Sequence, residues 1–209
     1  MKQLDHKLVV RTRMELLSGL HIGGGGDNVE IGGIDNPVIR CALKNWQPYI
    51  PGSSLKGKMR CLLEQIKGSI EVGGDYEINN LFGYSGKSMP SKIIVRDAYL
   101  TEDSISLLDK NIDNLDAPYT EGKWENVIDR TKGTALHPRQ IERIPAGVAF
   151  EVEFVINVWD DDKEEELVRL LKEGIKAIEN DYLGGSGSRG YGQVKFGELD
   201  IKQVLFNCK

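Results

Sequence analysis

The stretch HIGGGGDNVEIGGIDNP, residues 21–37, sets six glycines beside Asp27, Glu30 and Asp35. A run of bare backbone N–H groups suits a phosphate, whereas three carboxylates repel one. A nucleotide fingerprint needs a helix directly after the glycines to receive the phosphate, and none follows here. Asp35 has an ordinary carboxylate's reference pKa of about 3.9, so it is a poor general base at neutral pH. It suits Mg²⁺ better, since that ion is often held by one or two carboxylates together with substrate phosphates. Asp and Asn before proline also initiate turns, and on local chemistry alone the turn stands ahead. Histidine is a residue type suited to proton transfer, yet no triad or nucleophile-elbow spacing surrounds His21, so a structural or RNA-contacting role fits it better.

Three further stretches carry positive charge. In PGSSLKGKMRCLLEQIKG, residues 51–68, Lys56 and Arg60 lie four apart on one helical flank. Ser53 and Ser54 stand at the helix start, and Gly57 lets a bulky polyanion come close to the backbone. Together these favour phosphate contact over an ordinary solvated face. GGSGSRGYG, residues 184–192, has a helix before it and a strand after it, the reverse of the dinucleotide-binding order. Spacing alone makes it a helix-to-strand turn, with Gly187, Arg189, Gly190 and Tyr191 offering N–H groups, charge and a stacking face to RNA. RTKGTALHPRQIER, residues 130–143, gathers Arg130, Lys132, His137, Arg139 and Arg143 in a segment that Gly133 and Pro138 keep irregular. Such a basic loop is informative because the chain as a whole carries −5. That net charge argues against indiscriminate nucleic-acid binding while allowing a local basic stripe.

The elements that must hold these residues follow from periodicity. Lys7 to Ser18 alternates as a strand, and PVIRCAL and PYI are short β-like pieces. The first helix opens at the serines, which suit an N-cap, and turns Leu55, Met59, Leu62, Leu63 and Ile66 inward. Lys92 to Leu100 reads as a strand, Thr101 to Arg139 as polar and irregular, and Ala149 to Trp159 as a strand burying every second residue. A helix follows with Leu167, Leu170, Leu171, Gly174 and Ile178 in phase, and DDDKEEE at 160–166 is its solvated, dipole-compatible start. QVKFGELDI closes the chain as a strand. The order is βαββαβ, the ferredoxin-like arrangement of an α+β fold, with insertions at about 19–50, 68–91 and 101–147. The 209 residues, 40% apolar, suffice for one sizeable core. No apolar run spans a bilayer and no signal-peptide pattern opens the chain, so a cytoplasmic setting is expected. Cys41, Cys61 and Cys208 lack zinc spacing.

LHIGGGG, IGGIDNPVI, YIPGSSLKGKMRCLLE, IVRDAYL, KWENVIDR, HPRQIER and NDYLGGSGSRGYGQVKF occur in this order along nearly the whole chain. Together they resemble the repeated backbone subunits of type III CRISPR–Cas Csm interference complexes, members of the RAMP superfamily. The resemblance implies a single RAMP domain over 1–209, with an RRM-like, ferredoxin-like core whose insertions form a thumb hairpin and a lid. It implies subunits stacked as a filament along CRISPR RNA, with other subunits of the effector alongside and no membrane. Each thumb would kink the guide–target duplex, and the target single-stranded RNA would be cut beside each kink in a divalent-metal reaction. Ile34-Asp35-Asn36-Pro37 matches the family's catalytic context, with asparagine where serine is usual, so Asp35 becomes the implied catalytic and Mg²⁺-holding residue. The resemblance assigns RNA contact or site support to His21, Lys56 and Arg60. Thr-Lys-Gly-Thr-Ala-Leu replaces the family's usual Leu-Thr-Ala before HPRQIER.

Three alternatives stay open on the residues: a backbone subunit that binds RNA without its own nuclease activity, a small-molecule enzyme using the glycine loops for phosphate, and a guide-processing ribonuclease with His21 as acid–base.

Overall fold

The computed structural model describes residues 3–24, 36–69, 71 and 73–205. Strand β1 (Leu4–Leu16) turns Leu8, Val10, Met14 and Leu16 inward, as its alternation predicts. Short strands β2 (Arg40–Cys41) and β3 (Gln47–Ile50) form a hairpin before helix α1 (Gly52–Ile66). Helix α2 (Tyr76–Phe82) follows, then strands β4 (Ile93–Val95) and β5 (Ala98–Leu100) and helix α3 (Glu102–Lys110). A hairpin of β6 (Glu121–Ile128) and β7 (Ala135–Arg143) precedes β8 (Ala149–Trp159), α4 (Glu164–Glu179), β9 (Val194–Phe196) and β10 (Asp200–Leu205).

The main sheet runs β10-β1-β8-β5-β3-β2, with β4 also on β8 and β9 also on β1, all antiparallel. Reduced to its core, the order is closing strand, β1, β8 and middle strand. That is the ferredoxin-like sheet, in which each crossover skips one position. Helices α1 and α4 pack on one face. At their crossing Gly174 leaves room for Met59, since a Cβ there would sit 2.2 Å from Met59 Cγ. On the same side β8 buries Phe150, Val152, Phe154, Ile156 and Val158, each contributing about 1.5–3 kcal/mol of apolar burial.

Several local expectations need correcting. Ser53 and Ser54 do not cap α1; the N-cap is Pro51, without a side-chain cap bond. Instead Asp97 Oδ1 accepts from Gly52 N at 2.8 Å across the sheet edge. This contact coincides with the break that divides Lys92–Leu100 into β4 and β5. Gly52 lies so close that a Cβ would stand 2.1 Å from the Val95 carbonyl oxygen. Ile66, in the last turn of α1, is 69% exposed and not turned inward. The segment 101–139 is not irregular: it holds α3 and the β6–β7 hairpin. Gly133 (φ +69°) sits in the hairpin turn, and Pro138 lies at the register shift where a lost ladder N–H is tolerated. The closing strand is two, interrupted near Gly197, whose N–H bonds Arg13 O at 2.8 Å. Asp162 is no solvated helix start: its side chain is buried, paired with Lys92 and accepting from Trp159 N at 3.0 Å.

His6 fastens the start of β1 to the start of α4. Its Nδ1 meets Asp5 Oδ2 and its Nε2 meets Glu164 Oε2, both at 2.8 Å. Carboxylates only accept, so both bonds exist together only on the imidazolium. Burial lowers the pKa of His6, but the hydrogen bonds and charges of Asp5 and Glu164 outweigh it and raise the value above 6.5. The clasp therefore stabilises fully below about pH 6.5 and is lost as pH rises through the raised folded value. We expect the melting temperature of the wild type to fall across that upper window relative to His6→Gln, measured by circular dichroism. Parallel curves would remove His6 from the pH response.

Candidate nucleic-acid interface

Residues 20–24, the segment from Asn36 to Arg40, the β6–β7 hairpin base and the GGSGSRGYG turn converge beyond one end of β1. Leu20 and Ile144 bridge the loop to the residue after β7. Gly24 N donates to Pro37 O at 3.1 Å and Ile39 N to Ile22 O at 2.9 Å. These bonds pin together the two stems flanking residues 25–35. Asp35, with Asp27 and Glu30, lies outside the described residues; its neighbour Asn36 is bridged to Ile141 of β7.

Glu142 organises this junction. Its Oε2 accepts from Val38 N at 2.6 Å, and its Oε1 accepts from Thr120 Oγ1 at 2.6 Å and from Arg40. Its backbone N–H donates to Asn36 O at 3.3 Å, and its carbonyl accepts from His21 Nδ1 at 2.7 Å. Arg40 also reaches the carbonyls of Trp46 and Pro118, at 2.9 and 2.8 Å. The buried carboxylate and the guanidinium thus tie the second stem to the hairpin, and the Glu142 carbonyl ties the first through His21. A carbonyl cannot donate, so Nδ1 of His21 carries a proton and, in the neutral ring, Nε2 keeps a free lone pair. The His21 carbonyl in turn accepts from Gly185 N at 2.9 Å. Gly184 (φ +76°) permits that approach, as a Cβ there would lie 2.3 Å from the same oxygen.

The hairpin base also docks on the glycine-rich turn. Arg189 Nη1 donates to Glu125 Oε2 at 2.6 Å, and Arg139 Nη2 lies 3.7 Å from the same oxygen. Lys123 Nζ stands 4.5 Å from the centroid of the Tyr191 ring, with Arg143 at 5.3 Å. Tyr191 is 1% exposed, which corrects the expectation of a stacking face for RNA: its ring is the wall on which the cations rest. Burial, then the Glu125 carboxylate, pushes its hydroxyl up to about 12. That hydroxyl and Glu125 Oε1 are both buried with no partner at hydrogen-bond distance, although the carboxylate lies near enough to act on the hydroxyl. An unsatisfied buried hydroxyl costs about 1–3 kcal/mol. We therefore expect Tyr191→Phe to melt at or slightly above the wild-type temperature; a fall of several degrees would mean the hydroxyl is paired.

The remaining candidates are placed as follows. Gly187 and Arg189 bound a 3₁₀ turn closed by Gly190 (φ +85°), and a Cβ on Gly187 would strike the Tyr182 ring. Ser53 is exposed and Ser54 half-buried at the start of α1, and nothing stands within 4 Å of a Cβ built on Gly57. Lys56 Nζ bonds Ser91 Oγ at 2.7 Å and Ile93 O at 3.4 Å, and burial followed by Arg60's charge lowers its pKa. Arg60 donates to Glu64, the Gly83 carbonyl and Asn79 at 2.9, 2.8 and 3.1 Å. That leaves N–H groups of its five-donor fork unused. Arg130 is exposed in the hairpin turn, which Asp129 Oδ1 folds by accepting from Thr131 N and Lys132 N. Around it Trp124, Val127 and Ile128 expose apolar surface. Sequence reasoning missed Arg40, Thr120, Lys123, Glu125 and Glu142. Their signal is slight: one arginine inside the apolar stretch VIRCA and an adjacent Glu–Arg pair inside QIERI. Among the described residues no cluster of His, Cys, Asp or Glu could hold a metal, and no helix is long and apolar enough to cross a membrane.

The RAMP superfamily model matches residues 13–195. The chain belongs to the RAMP superfamily. A protein from Methanocaldococcus jannaschii, named CRISPR system Cms endoribonuclease Csm3, is 42% identical over 221 residues, spanning 99% of this chain and 83% of that protein. A protein of the same name from Streptococcus thermophilus is 41% identical, covering 96% of this chain and 92% of its own length. A crystal structure of the Csm3–Csm4 subcomplex in the type III-A CRISPR–Cas interference complex matches at TM-score 0.62 and 32% identity, over 97% of this chain and 82% of that one. A chain of the type III-B Cmr-beta complex bound to cognate target RNA shares the fold at TM-score 0.67 and 18% identity, over 94% of this RAMP chain and 61% of its own. The ferredoxin-like core with its long insertions is thus the RAMP fold.

Proposed function

We propose that this RAMP protein is a filament-forming backbone subunit of a type III CRISPR effector. It lies along CRISPR RNA with other subunits of the complex and cleaves the paired target RNA at regular intervals. One observation carries the reading: the exposed β6–β7 hairpin is rooted, through Glu142 and Arg40, in the junction that holds the stems flanking Asp35. Its homology to proteins named endoribonuclease supports the reaction class.

In this reading the hairpin wedges the guide–target duplex with Trp124, Val127 and Ile128, while Arg130 and Arg139 hold phosphates along it. Lys56, Arg60, the serines at the start of α1 and the turn Gly187–Gly190 take the other backbone. Guide pairing supplies sequence specificity and the protein reads backbone and shape. The kink turns one nucleotide so that its 2′-OH lies in line with the adjacent phosphate. The O2′–P bond forms as the P–O5′ bond breaks; the proton of the 2′-OH passes to water and O5′ takes one up from water, leaving a 2′,3′-cyclic phosphate and a 5′-hydroxyl. Orientation of this kind supplies a large share of a barrier. Asp35 orients the attacking hydroxyl, and the lone pair on His21 Nε2 accepts from a neighbouring ribose hydroxyl. Asp35 is also the carboxylate that would hold Mg²⁺ or a similar cation, whose chemistry is to neutralise charge on the scissile phosphate. The assembled complex should lose target cleavage in excess EDTA and regain it with added Mg²⁺, followed by gel analysis of labelled target. Cleavage that persists in EDTA would remove the cation from the reaction.

A further inference from the structure

The turn joining β2 to β3 carries an apolar knob. Leu43 is 97% exposed and Trp46 62%. The turn is fixed by Lys44 N to Cys41 O at 3.2 Å, Gln47 N to Lys44 O at 2.9 Å, and Arg40 Nη1 to Trp46 O at 2.9 Å. Asn45 and Trp46 both adopt left-handed φ, 50° and 55°. A bulky residue in that region is strained and persists only where its surroundings hold it. The backbone that carries the indole is therefore held at a fixed place, and tryptophan is enriched among interface anchors. Leu43 beside it offers neither charge nor a stacking face, so the pair suits a protein surface better than a nucleic acid.

An apolar recess lies where the residues around α2 meet the end of β8. It measures about 330 Å³ and is lined by Tyr76, Asn80, Met89, Pro90, Lys92 and Trp159. The one ammonium in its wall is already taken by Asn80 and Asp162, leaving a mainly apolar surface. The knob stands beside the ladder Tyr49–Tyr99–Glu151 near the start of β8, and the recess at Trp159 ends it. Eight residues of strand separate those levels by roughly 26 Å. Knob and recess cannot meet within one chain. A knob seated in the recess of the next copy leaves a free knob at one end and a free recess at the other, the heterologous contact that adds copies without closing.

We propose that Leu43 and Trp46 of one copy dock in the recess formed by Tyr76, Met89, Pro90 and Trp159 of the next, making this a stacking contact between copies of the chain. The proposal rests on the filament reading given above and names its contact surfaces.

The test replaces Trp46 by the photoreactive benzoylphenylalanine in the full chain, assembled with guide RNA from a mixture of isotopically light and heavy copies. Cross-links from position 46 to the 76–92 segment or Trp159 of a different copy are expected. Cross-links between positions 46 of two copies, cross-links to RNA, or none at all would overturn the docking. In the unlabelled chain, Leu43→Ser with Trp46→Ala should raise the concentration needed for self-association about 30-fold, as for an interface anchor, while far-UV circular dichroism and guide binding per copy stay unchanged. Self-association equal to wild type, or weakened guide binding instead, would also overturn it. Guide RNA that co-purifies without the expected cross-link defeats this contact alone; absence of both RNA and cross-link defeats the proposed function as well.

Discussion

Asp35→Ala, assembled into the complex, should leave guide and target binding within about twofold of wild type while target cleavage falls by about 10²–10⁴-fold. The reasoning runs from the stems inward. Gly24 and Pro37 are hydrogen-bonded to each other, and Val38 is held by Glu142. Removing the side chain of Asp35 therefore takes away a carboxylate without releasing the backbone on either side of the segment. Asp35→Asn keeps the size and loses the charge, so equal losses in both variants would assign the effect to charge at the scissile phosphate. Binding is read by filter retention and cleavage by denaturing gel, in the same preparation. Unchanged cleavage would make Asp35 a turn residue and favour a subunit that binds without cutting. Lost binding would make it architectural.

Arg40→Ala should be the most damaging single change away from Asp35. The side chains of Arg40 and Glu142 are 14% and 5% exposed, so the variant strands a carboxylate in the interior with only Thr120 and the Val38 N–H as partners. Breaking a buried pair from one side costs about 3–5 kcal/mol, because the remaining charge is uncompensated. For a chain of this size that corresponds to a melting temperature roughly 10 °C lower. Adding Glu142→Gln to Arg40→Ala should recover part of the loss, since the stranded group is then neutral. A single variant that melts with the wild type, or a double variant less stable than the single, would show that the pair does not hold the junction together.

The long elements were legible because each has a strong, self-consistent period. Alternation over Ala149–Trp159 and the helical phase of Leu167, Leu170, Leu171, Gly174 and Ile178 both reappear as buried faces. Local reasoning failed where a remote partner decides. Serines at the start of α1 satisfy every local rule for a cap, yet Asp97 supplies the acceptor from a strand break 45 residues away. The basic segment before Arg143 has a glycine and a proline that argue against regular structure, but a partner strand stabilises it, and the proline falls where the ladder shifts register. Tyr191 reads as exposed among glycines, and those glycines are what let the chain turn it inward against Lys123 and Arg143.

By itself the sequence determined the ferredoxin-like core and the types of residue gathered around Asp35, at Lys56 and Arg60, and in the two glycine-rich turns. Its quoted segments also sufficed for the RAMP resemblance. Only the tertiary structure decided that Glu142 and Arg40 unite the first and third insertions, and that Arg60 and Arg189 each spend hydrogen bonds inside the protein. The physical reason is range. Periodicity and capping act over one or two turns of chain, whereas a buried charge is tolerated only where distant segments bring its partners to it.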